Sequence, residues 1–381
     1  MTVSTAPPPP IARLSHAAPF WMSLLIVPLA LLSITQGGLW VLSLPLFAWW
    51  LLSLLDALTG LNLDNADPQI PEGHLFWYRL VTLIWFPVQA ALLVFALAAV
   101  PGAEHLDTHE KVLIFFGLGI VSGTIGTNYA HELMHQKTRL ERWLADLLLA
   151  SVLYSHFRTE HLLVHHRYVG TPKDAVTARY NEGFHRYFPR VLRQSFVSAL
   201  GAEAARLRRK GVSPWSFANP FWRYAFLQAV WVALALGLGG PEGLALFLVC
   251  AATAIWQLEL VNYVEHYGLT RKHLGEGRYE HVKPRHSWNA AHRASNWLLI
   301  NLQRHSDHHY KPDRRFPLLQ TYPEDEAPQL PYGYPVMTTL ALVPPLWRRV
   351  MNPRVRAWRR HFYPEIEDWT PYRRGTLPLP R

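Results

Sequence analysis

Apolar stretches about 20 residues long constrain this chain most, because a helix of that length spans the hydrocarbon core of a bilayer. Within a membrane the backbone polar groups must be bonded inside the segment, so the spanning segments are expected to be α-helices. Six stretches qualify: 19–35, 38–56, 76–100, 111–130, 221–238 and 242–262. The sequence therefore predicts an all-α polytopic membrane protein with six transmembrane helices.

Basic residues give the expected orientation of these helices. All but four of the 37 Lys and Arg residues lie in two segments, 131–220 and 263–381. The loops expected on the other side, 36–38, 101–110 and 239–241, contain neither residue. Because basic loops stay in the cytoplasm, both rich segments are predicted to be cytoplasmic. The net charge of +10 is thus interpreted as an orientation signal, since no nucleic-acid recognition motif accompanies it.

This pattern predicts five regions along the chain. The proline-rich start is typical of a disordered tail and lacks the features of a cleaved signal peptide. The regions are a disordered N-terminal tail over 1–18, transmembrane helices 1–4 over 19–130, a cytoplasmic histidine-rich segment over 131–220, transmembrane helices 5–6 over 221–262, and a cytoplasmic histidine-rich C-terminal segment over 263–381.

Nine of the 20 histidines form four short groups in or beside the cytoplasmic segments, reading HELMH, EHLLVHH, NYVEHYG and LQRHSDHH. Most are spaced by three or four residues, which directs side chains to one face of a helix. His131 and His135 form one such pair, and His161 and His165 form another. The nine are His131, His135, His161, His165, His166, His266, His305, His308 and His309.

So many imidazoles predict a site for more than one metal ion. Nine histidines exceed the three protein ligands of a catalytic zinc, whereas two ions would take four or five each. Imidazole suits zinc, copper, iron and nickel alike. Iron is favoured because a site that lacks thiolates and meets bilayer-soluble substrates suits oxygen activation better than hydrolysis. The one cysteine, Cys250, excludes an internal disulfide, a multi-thiolate zinc site and an iron–sulfur cluster.

Carboxylates adjoin the histidines in all four groups. Ligating imidazoles normally donate their second N–H to a carboxylate or carbonyl, which fixes the ring orientation. The four acids are therefore predicted to accept hydrogen bonds from the ligating imidazoles on the side away from the metal. Direct ligation by one or more of them, or an ordinary surface role, stays open. They are Glu132, Glu160, Glu265 and Asp307.

The histidine groups resemble those of the integral-membrane alkane monooxygenase family, the alkane omega-hydroxylases, within the membrane di-iron hydroxylases and desaturases. Further similarity lies in VGTPKDA, GVSPWSFANP and PPLWRRVMNPRV, so the resemblance extends from the first span to about residue 360. It implies six transmembrane helices and a cytoplasmic-side centre of two non-haem iron ions held by the nine histidines. It also implies hydroxylation of terminal methyl groups of alkanes to primary alcohols, with O2 as co-substrate and electrons from rubredoxin.

Five residues beside the histidines depart from the family pattern, and they leave the substrate range open. These residues are Met134, Gln136, Leu162, Leu163 and Val164. An apolar passage from the bilayer to the metal centre is expected, and no catalytic residue separate from that centre is predicted. Four aromatic residues are candidates for lining this passage: Trp49, Trp50, Trp85 and Phe86.

The electrons are expected from a separate redox protein, rubredoxin with its reductase upstream. One cysteine cannot hold a rubredoxin-type iron, and no glycine-rich dinucleotide fingerprint follows a strand. Its docking surface is expected on a basic part of the cytoplasmic face that includes Arg206, Arg208, Arg209 and Lys210. We expect the protein to lie in the bacterial cytoplasmic (inner) membrane, with its catalytic side in the cytoplasm.

Several alternatives remain open at this point. A related membrane di-iron enzyme would act on alkyl-aromatic methyl groups or on fatty acyl chains, as a hydroxylase or desaturase. An intramembrane zinc metalloprotease would use His131 and His135 as ligands and Glu132 as general base, which leaves seven histidines without a function. A metal transporter or sensor would place its ligands inside the spans. The role of His273 is also open.

Overall fold

The computed structural model describes residues 10–369 of the chain. Within this range the fold is almost wholly helical, with one two-stranded ribbon, which confirms the all-α prediction. The predicted disordered tail over 1–18 lies partly outside the described residues. Its described part is ordered instead, because Leu14–Ala17 is helical and Ala17 is fully buried.

Four long apolar helices open the fold. They are α1 (Leu14–Gln36), α2 (Gly38–Thr59), α3 (Glu72–Ala99) and α4 (Thr108–Met134). Gly37 separates the first two with a φ of 62°, which glycine adopts without steric cost. A capping box between Asp107 and Glu110 begins α4 by satisfying two of its free backbone N–H groups. Each helix is long enough to cross a bilayer, and the chain is an integral membrane protein.

Three helices follow in the first predicted cytoplasmic segment. They are α5 (Arg139–Ala150), α6 (157–168) and α7 (Phe184–Arg209). The Thr138 hydroxyl accepts a hydrogen bond from the backbone N–H of Glu141 and so begins α5. α6 carries the second histidine group, and its middle is a π-helical turn, His161–His165.

The next helix, α8 (Pro220–His266), is 47 residues long and folds as a hairpin. A straight helix of that length would measure about 70 Å, more than twice the hydrocarbon thickness. Gly240 is non-helical, with φ 62° and ψ −159°, and Pro241 follows it. The rings of Trp231 and Phe247 stack 6.1 Å apart, whereas a straight helix would separate the two residues by about 24 Å.

The hairpin bears on the number of spans. The described residues contain five helices long and apolar enough to cross a membrane, and α8 is the fifth. Its two arms, 220–239 and 241–266, lie side by side and match the fifth and sixth predicted spans to within a few residues. The count of six spans stays a prediction.

The remaining chain returns to the end of α8. It forms β1 (His273–Gly275), β2 (Arg278–Tyr279), α9 (Arg293–Leu298), α10 (His305–Tyr310), α11 (Tyr334–Ala341) and α12 (Pro344–Phe362). The strands pair antiparallel. In α12, the fully buried Trp347 packs on Tyr263 and Tyr267, with ring centroids 5.2 and 5.3 Å apart. These contacts hold the C-terminal segment against the end of α8.

Two glycines bring α4 and α8 into close contact. A Cβ at Gly119 would lie 2.6 Å from the Cys250 carbonyl oxygen, and one at Gly123 would lie 2.6 Å from that of Ala254. Small residues four apart allow such backbone approach between membrane helices. The contact aligns α4 and α8, which carry the first and third histidine groups near their ends.

Candidate metal centre

The structure brings the nine histidines together in two clusters. In each cluster the possible ligand atoms all lie within 4.8 Å of one another. Cluster A is His131, His135, His161, His166 and His308. Cluster B is His165, His266, His305 and His309. All four histidine groups of the sequence contribute, and His273 lies elsewhere, in β1 with its ring against Tyr279.

Imidazole nitrogens converge in cluster A. The Nε2 atom of His166 lies 2.9 Å from that of His161, 3.2 Å from that of His135 and 3.2 Å from that of His308. A neutral imidazole has one N–H, so one Nε2 cannot donate to all of these acceptors. Nitrogens about 2 Å from a common metal would have similar mutual separations. The donor set therefore fits a metal ion better than a network of hydrogen bonds.

Cluster B has the same geometry with four rings. The His309 Nε2 lies 3.0 Å from that of His305 and 3.2 Å from that of His165, and the His305 Nε2 lies 3.1 Å from that of His266. The two clusters are adjacent, since the rings of His166 and His309 are 4.7 Å apart. The arrangement therefore fits two neighbouring metal ions.

Burial keeps the imidazoles outside the spans neutral. It lowers the pKa of His135 to about 3, and neighbouring His165 adds to the effect. Burial also lowers the pKa of His161 and His308 well below the ordinary value, again with help from neighbouring imidazoles. Metal binding requires a deprotonated ring nitrogen. These side chains are therefore in the state that a metal needs.

A π-helical turn changes the pairing expected within the second histidine group. The i, i+4 spacing predicts that His161 and His165 point to the same place, but they belong to different clusters. The backbone N–H of His166 bonds to the His161 carbonyl, five residues back, as in a π-helix. The wider turn brings His161 and His166 together in cluster A and directs His165 to cluster B.

Two carboxylates touch cluster B. Glu265 Oε2 lies 3.3 Å from the His305 Nε2, and Glu265 Oε1 accepts a 2.9 Å hydrogen bond from the Tyr334 hydroxyl. Asp174 Oδ2 lies 3.0 Å from the Nδ1 of His165, the nitrogen opposite the one that faces the cluster. Such a bond fixes the ring and its tautomer. Sequence reasoning missed Asp174, although it lies in the VGTPKDA segment.

The other predicted supporting acids are placed differently. Glu132 Oε1 accepts a hydrogen bond from Gln136, and Asp307 accepts bonds from Arg314 and Tyr322. Neither acid bonds to an imidazole among the described residues. Glu160 is fully buried, and burial raises its pKa well above the ordinary value, with Asp174 adding to the effect.

A narrow apolar cavity lies between the clusters. Its walls include His131 and His161 of cluster A, His305 of cluster B, and Phe157 and Val261. A chain end entering it would face both clusters while the apolar walls exclude water.

None of the four predicted channel residues lines this cavity. Trp50 is 71% exposed on the outer surface, and Trp85 is fully buried, with its Nε1–H donating to Gln89. Trp49 packs between Phe116 and Trp256, and Phe86 packs against the hydrophobic core of the protein. These side chains therefore do not form the wall of the cavity at the histidines, because Trp50 faces outward and the other three pack against other parts of the protein. The passage itself stays a prediction.

The zinc-protease alternative is not supported by this geometry. Such a site uses three protein ligands and an open position. Here His131 and His135 share cluster A with three further imidazoles. The Glu132 carboxylate, which would be the general base, is bonded to Gln136.

Comparison with known families agrees with the geometry. Residues 110–341 match the model of the fatty acid desaturase family. This range covers more than half of the chain and contains all nine clustered histidines.

Similar proteins carry more specific names. The chain is 38% identical to an alkane 1-monooxygenase of Pseudomonas putida over 342 residues, which covers 89% of this chain and 84% of the relative. It is 37% identical to alkane 1-monooxygenase 2 of Alcanivorax borkumensis, covering 89% and 90%. It is also 34% identical to the hydroxylase component of a Pseudomonas putida xylene/toluene monooxygenase, covering 64% of each chain.

Proposed function

Because the chain belongs to the fatty acid desaturase family and, within it, to the alkane 1-monooxygenases, we propose that it hydroxylates the terminal methyl group of alkanes to primary alcohols. The observation that carries the proposal is the division of nine histidines, seven buried and two half-buried, into neighbouring clusters of five and four around an apolar cavity. Clusters A and B would each hold one non-haem iron ion. The two ions would supply O2 activation and insertion of one oxygen atom into a C–H bond, the other oxygen atom being reduced to water by two electrons and two protons.

The chain's own side chains would bind and orient the substrate. Phe157, Leu258 and Val261 supply apolar surface in the cavity, and Leu299 and Leu302 complete it. Apolar surface excludes water and favours an alkyl chain over a polar one. The methyl group is thereby directed at the histidines, while Asp174 holds His165 in a fixed orientation.

The location is proposed to be the bacterial inner membrane, with the clusters on the cytoplasmic side. The distribution of Lys and Arg supports this orientation. Hydrocarbon dissolved in the bilayer would then reach the cavity from the membrane, and electrons would arrive from the cytoplasm.

The electron donor is proposed to be rubredoxin, docking over the pocket that reaches Asp174 from the surface. Arg179 lines this pocket, and Asp174, which is also in its wall, touches His165. Basic side chains suit an acidic partner. The docking surface expected from the sequence, which includes Arg206 and Lys210, lies at the end of α7 beside exposed aromatic side chains and stays a prediction.

Replacing Arg179 with Glu tests the donor site. The rubredoxin concentration for half-maximal turnover should rise several-fold, while turnover with a small-molecule reductant stays unchanged. Arg186→Glu, a change of an exposed residue on α7, is the matched control. Equal effects of both changes would contradict this docking site.

Product analysis tests the proposed reaction. Purified protein with measured iron content is supplied with O2, rubredoxin, rubredoxin reductase and either octane or dodecane. A primary alcohol supports the proposal, whereas an alkene or a secondary alcohol contradicts it. His185→Ala, which removes an exposed histidine outside both clusters, should retain activity.

A second candidate substrate is the methyl group of an alkyl-aromatic compound. The similarity to the xylene/toluene monooxygenase component favours it. Competition between toluene and octane decides: preferential formation of benzyl alcohol would support this alternative over the alkane.

A further inference from the structure

A second apolar space, the α7–α8 groove, lies outside the histidine region. It runs between α7 and the first turns of α8, with a volume of about 810 Å³. Phe196 and Leu200 of α7, Trp215, and Phe221 and Ala225 of α8 supply apolar surface. This volume is of the size that holds a drug-sized ligand or part of a lipid chain.

Aromatic side chains at the rim place the groove at the membrane surface. Trp215 is 82% exposed and Phe217 is 92% exposed, just before Asn219 caps the start of α8. Trp and other large aromatic residues at the ends of spans lie at the headgroup level. Phe226 and Leu234 continue the exposed apolar surface along the first arm of α8. The groove is therefore continuous with the lipid-facing side of a span.

The residues at one end of the groove are basic. Arg208 lines the groove and is exposed, and Arg209 and Lys210 follow it. Arg206 is neutralised by an ion pair with Glu203, whereas the described residues give Arg208 no ion pair. A guanidinium at the headgroup level binds a phosphate strongly.

The groove is closed off from the metal centre. Phe157 lines the cavity between the clusters, and its neighbour His156 lines the groove. Tyr154 stacks on Phe157 with ring centroids 6.0 Å apart, and the Tyr224 and Thr159 hydroxyls are 3.0 Å apart. A molecule in the groove is therefore separated from the histidines by a packed layer, which argues against a substrate site.

We propose that the α7–α8 groove binds an anionic phospholipid of the bilayer, with an acyl chain against Phe196 and Phe221 and its phosphate on Arg208. The bound lipid fixes α7 to the membrane surface. Neither metal nor turnover is needed for this binding, so it can fail while the proposed reaction holds, and the reverse.

Lipid retention by purified protein tests the proposal. The full chain is reconstituted in vesicles of equal amounts of phosphatidylglycerol and phosphatidylcholine, extracted into detergent, washed, and analysed by mass spectrometry for bound lipid. The wild type should retain phosphatidylglycerol in preference to phosphatidylcholine. Arg208→Gln should reduce that retention at least about fivefold, the contribution of one basic residue near an anionic surface.

Two further variants distinguish the contribution of the apolar groove to lipid binding from the contribution of the Arg208 charge. Ala204→Trp places a large side chain in the groove and should reduce retention of both lipids. Arg193→Gln, on the same helix and exposed, is the matched control and should retain lipid as the wild type does. Circular dichroism of each variant checks that the helix content of the whole chain is unchanged.

Three results would overturn the proposal. They are equal retention by the wild type and Arg208→Gln, equal retention of the two lipids by the wild type, and displacement of the bound lipid by dodecane. The last would make the groove a substrate site.

Discussion

Clusters A and B offer different surroundings to a metal ion. Cluster A has five imidazoles and, among the described residues, no carboxylate in contact with them. Cluster B has four imidazoles and two acids in contact, Glu265 and Asp174. Glu265 places a carboxylate beside the cluster nitrogens, which stabilises a more highly charged ion, and Asp174 raises the basicity of His165 from its opposite nitrogen. The two metal positions are therefore inequivalent, and cluster B is also the one nearer the pocket proposed for the electron donor.

Removing one imidazole from cluster A has the largest expected effect. In His166→Ala the ring whose Nε2 faces three other histidines is lost. Alkane turnover should fall by more than about 100-fold. Even the replacement of a residue that only hydrogen-bonds to a metal ligand lowers metal affinity or activity about 10–100-fold. Metal analysis should show iron falling from about two to about one per chain. His185→Ala should leave both quantities unchanged, and normal iron content in His166→Ala would contradict cluster A.

The second-largest effect is expected when the acid beside cluster B is neutralised. Glu265→Gln keeps the side-chain shape and the Tyr334 contact but removes the negative charge 3.3 Å from the His305 Nε2. Iron affinity at cluster B should fall by up to about 100-fold. This is the upper end of the loss expected when an acid close to a metal ligand is replaced. Chelator competition measures this, and cluster A should keep its iron. Equal losses from both clusters would show that the acid does not distinguish them.

Removing the charge behind His165 should have a smaller effect. Asp174→Asn leaves a hydrogen-bonding group at the Nδ1 of His165 but weakens the bond, so iron affinity should fall about 10-fold. A changed Mössbauer signal from one of the two irons would separate positioning of His165 from general destabilisation. Asp313→Asn, which alters an exposed acid, is the control, and an unchanged signal in Asp174→Asn would contradict the role.

The smallest effect is expected for the acid in the first histidine group. Glu132→Gln should change turnover by less than about threefold, since this acid does not contact an imidazole and so lacks the usual supporting role. A steady-state assay with dodecane measures it. A loss of 100-fold would instead give Glu132 a direct role and remove the contrast between the clusters.

Much of the fold and the nine histidines could be predicted from the sequence. Apolar length and charge asymmetry are local properties, so the long helices and the break near Gly240 and Pro241 were foreseeable. Histidine spacing also located the residues that meet. The spacing could not assign each histidine to the correct cluster, because the π-helical turn at His161–His165 changes the helical period on which spacing arguments depend.

Tertiary packing explains what sequence reasoning missed. Asp174 is nine residues from His165 along the chain, in a segment without regular structure that folds back on α6. The exposure of Trp50 and the burial of Trp85 depend on how α2 and α3 are rotated against their neighbours, which composition does not specify. The four channel candidates do not line the cavity at the histidines for that reason, whereas the ligand set rested on four separate groups.

Two inequivalent iron ions are proposed to occupy clusters A and B. Mössbauer spectroscopy of the wild-type protein loaded with ⁵⁷Fe, combined with metal quantification, tests this proposal most directly. We expect about two irons per chain, since each cluster supplies a full set of imidazole ligands, and two distinct quadrupole doublets of equal area. One metal ion per chain, or zinc without iron, would contradict it.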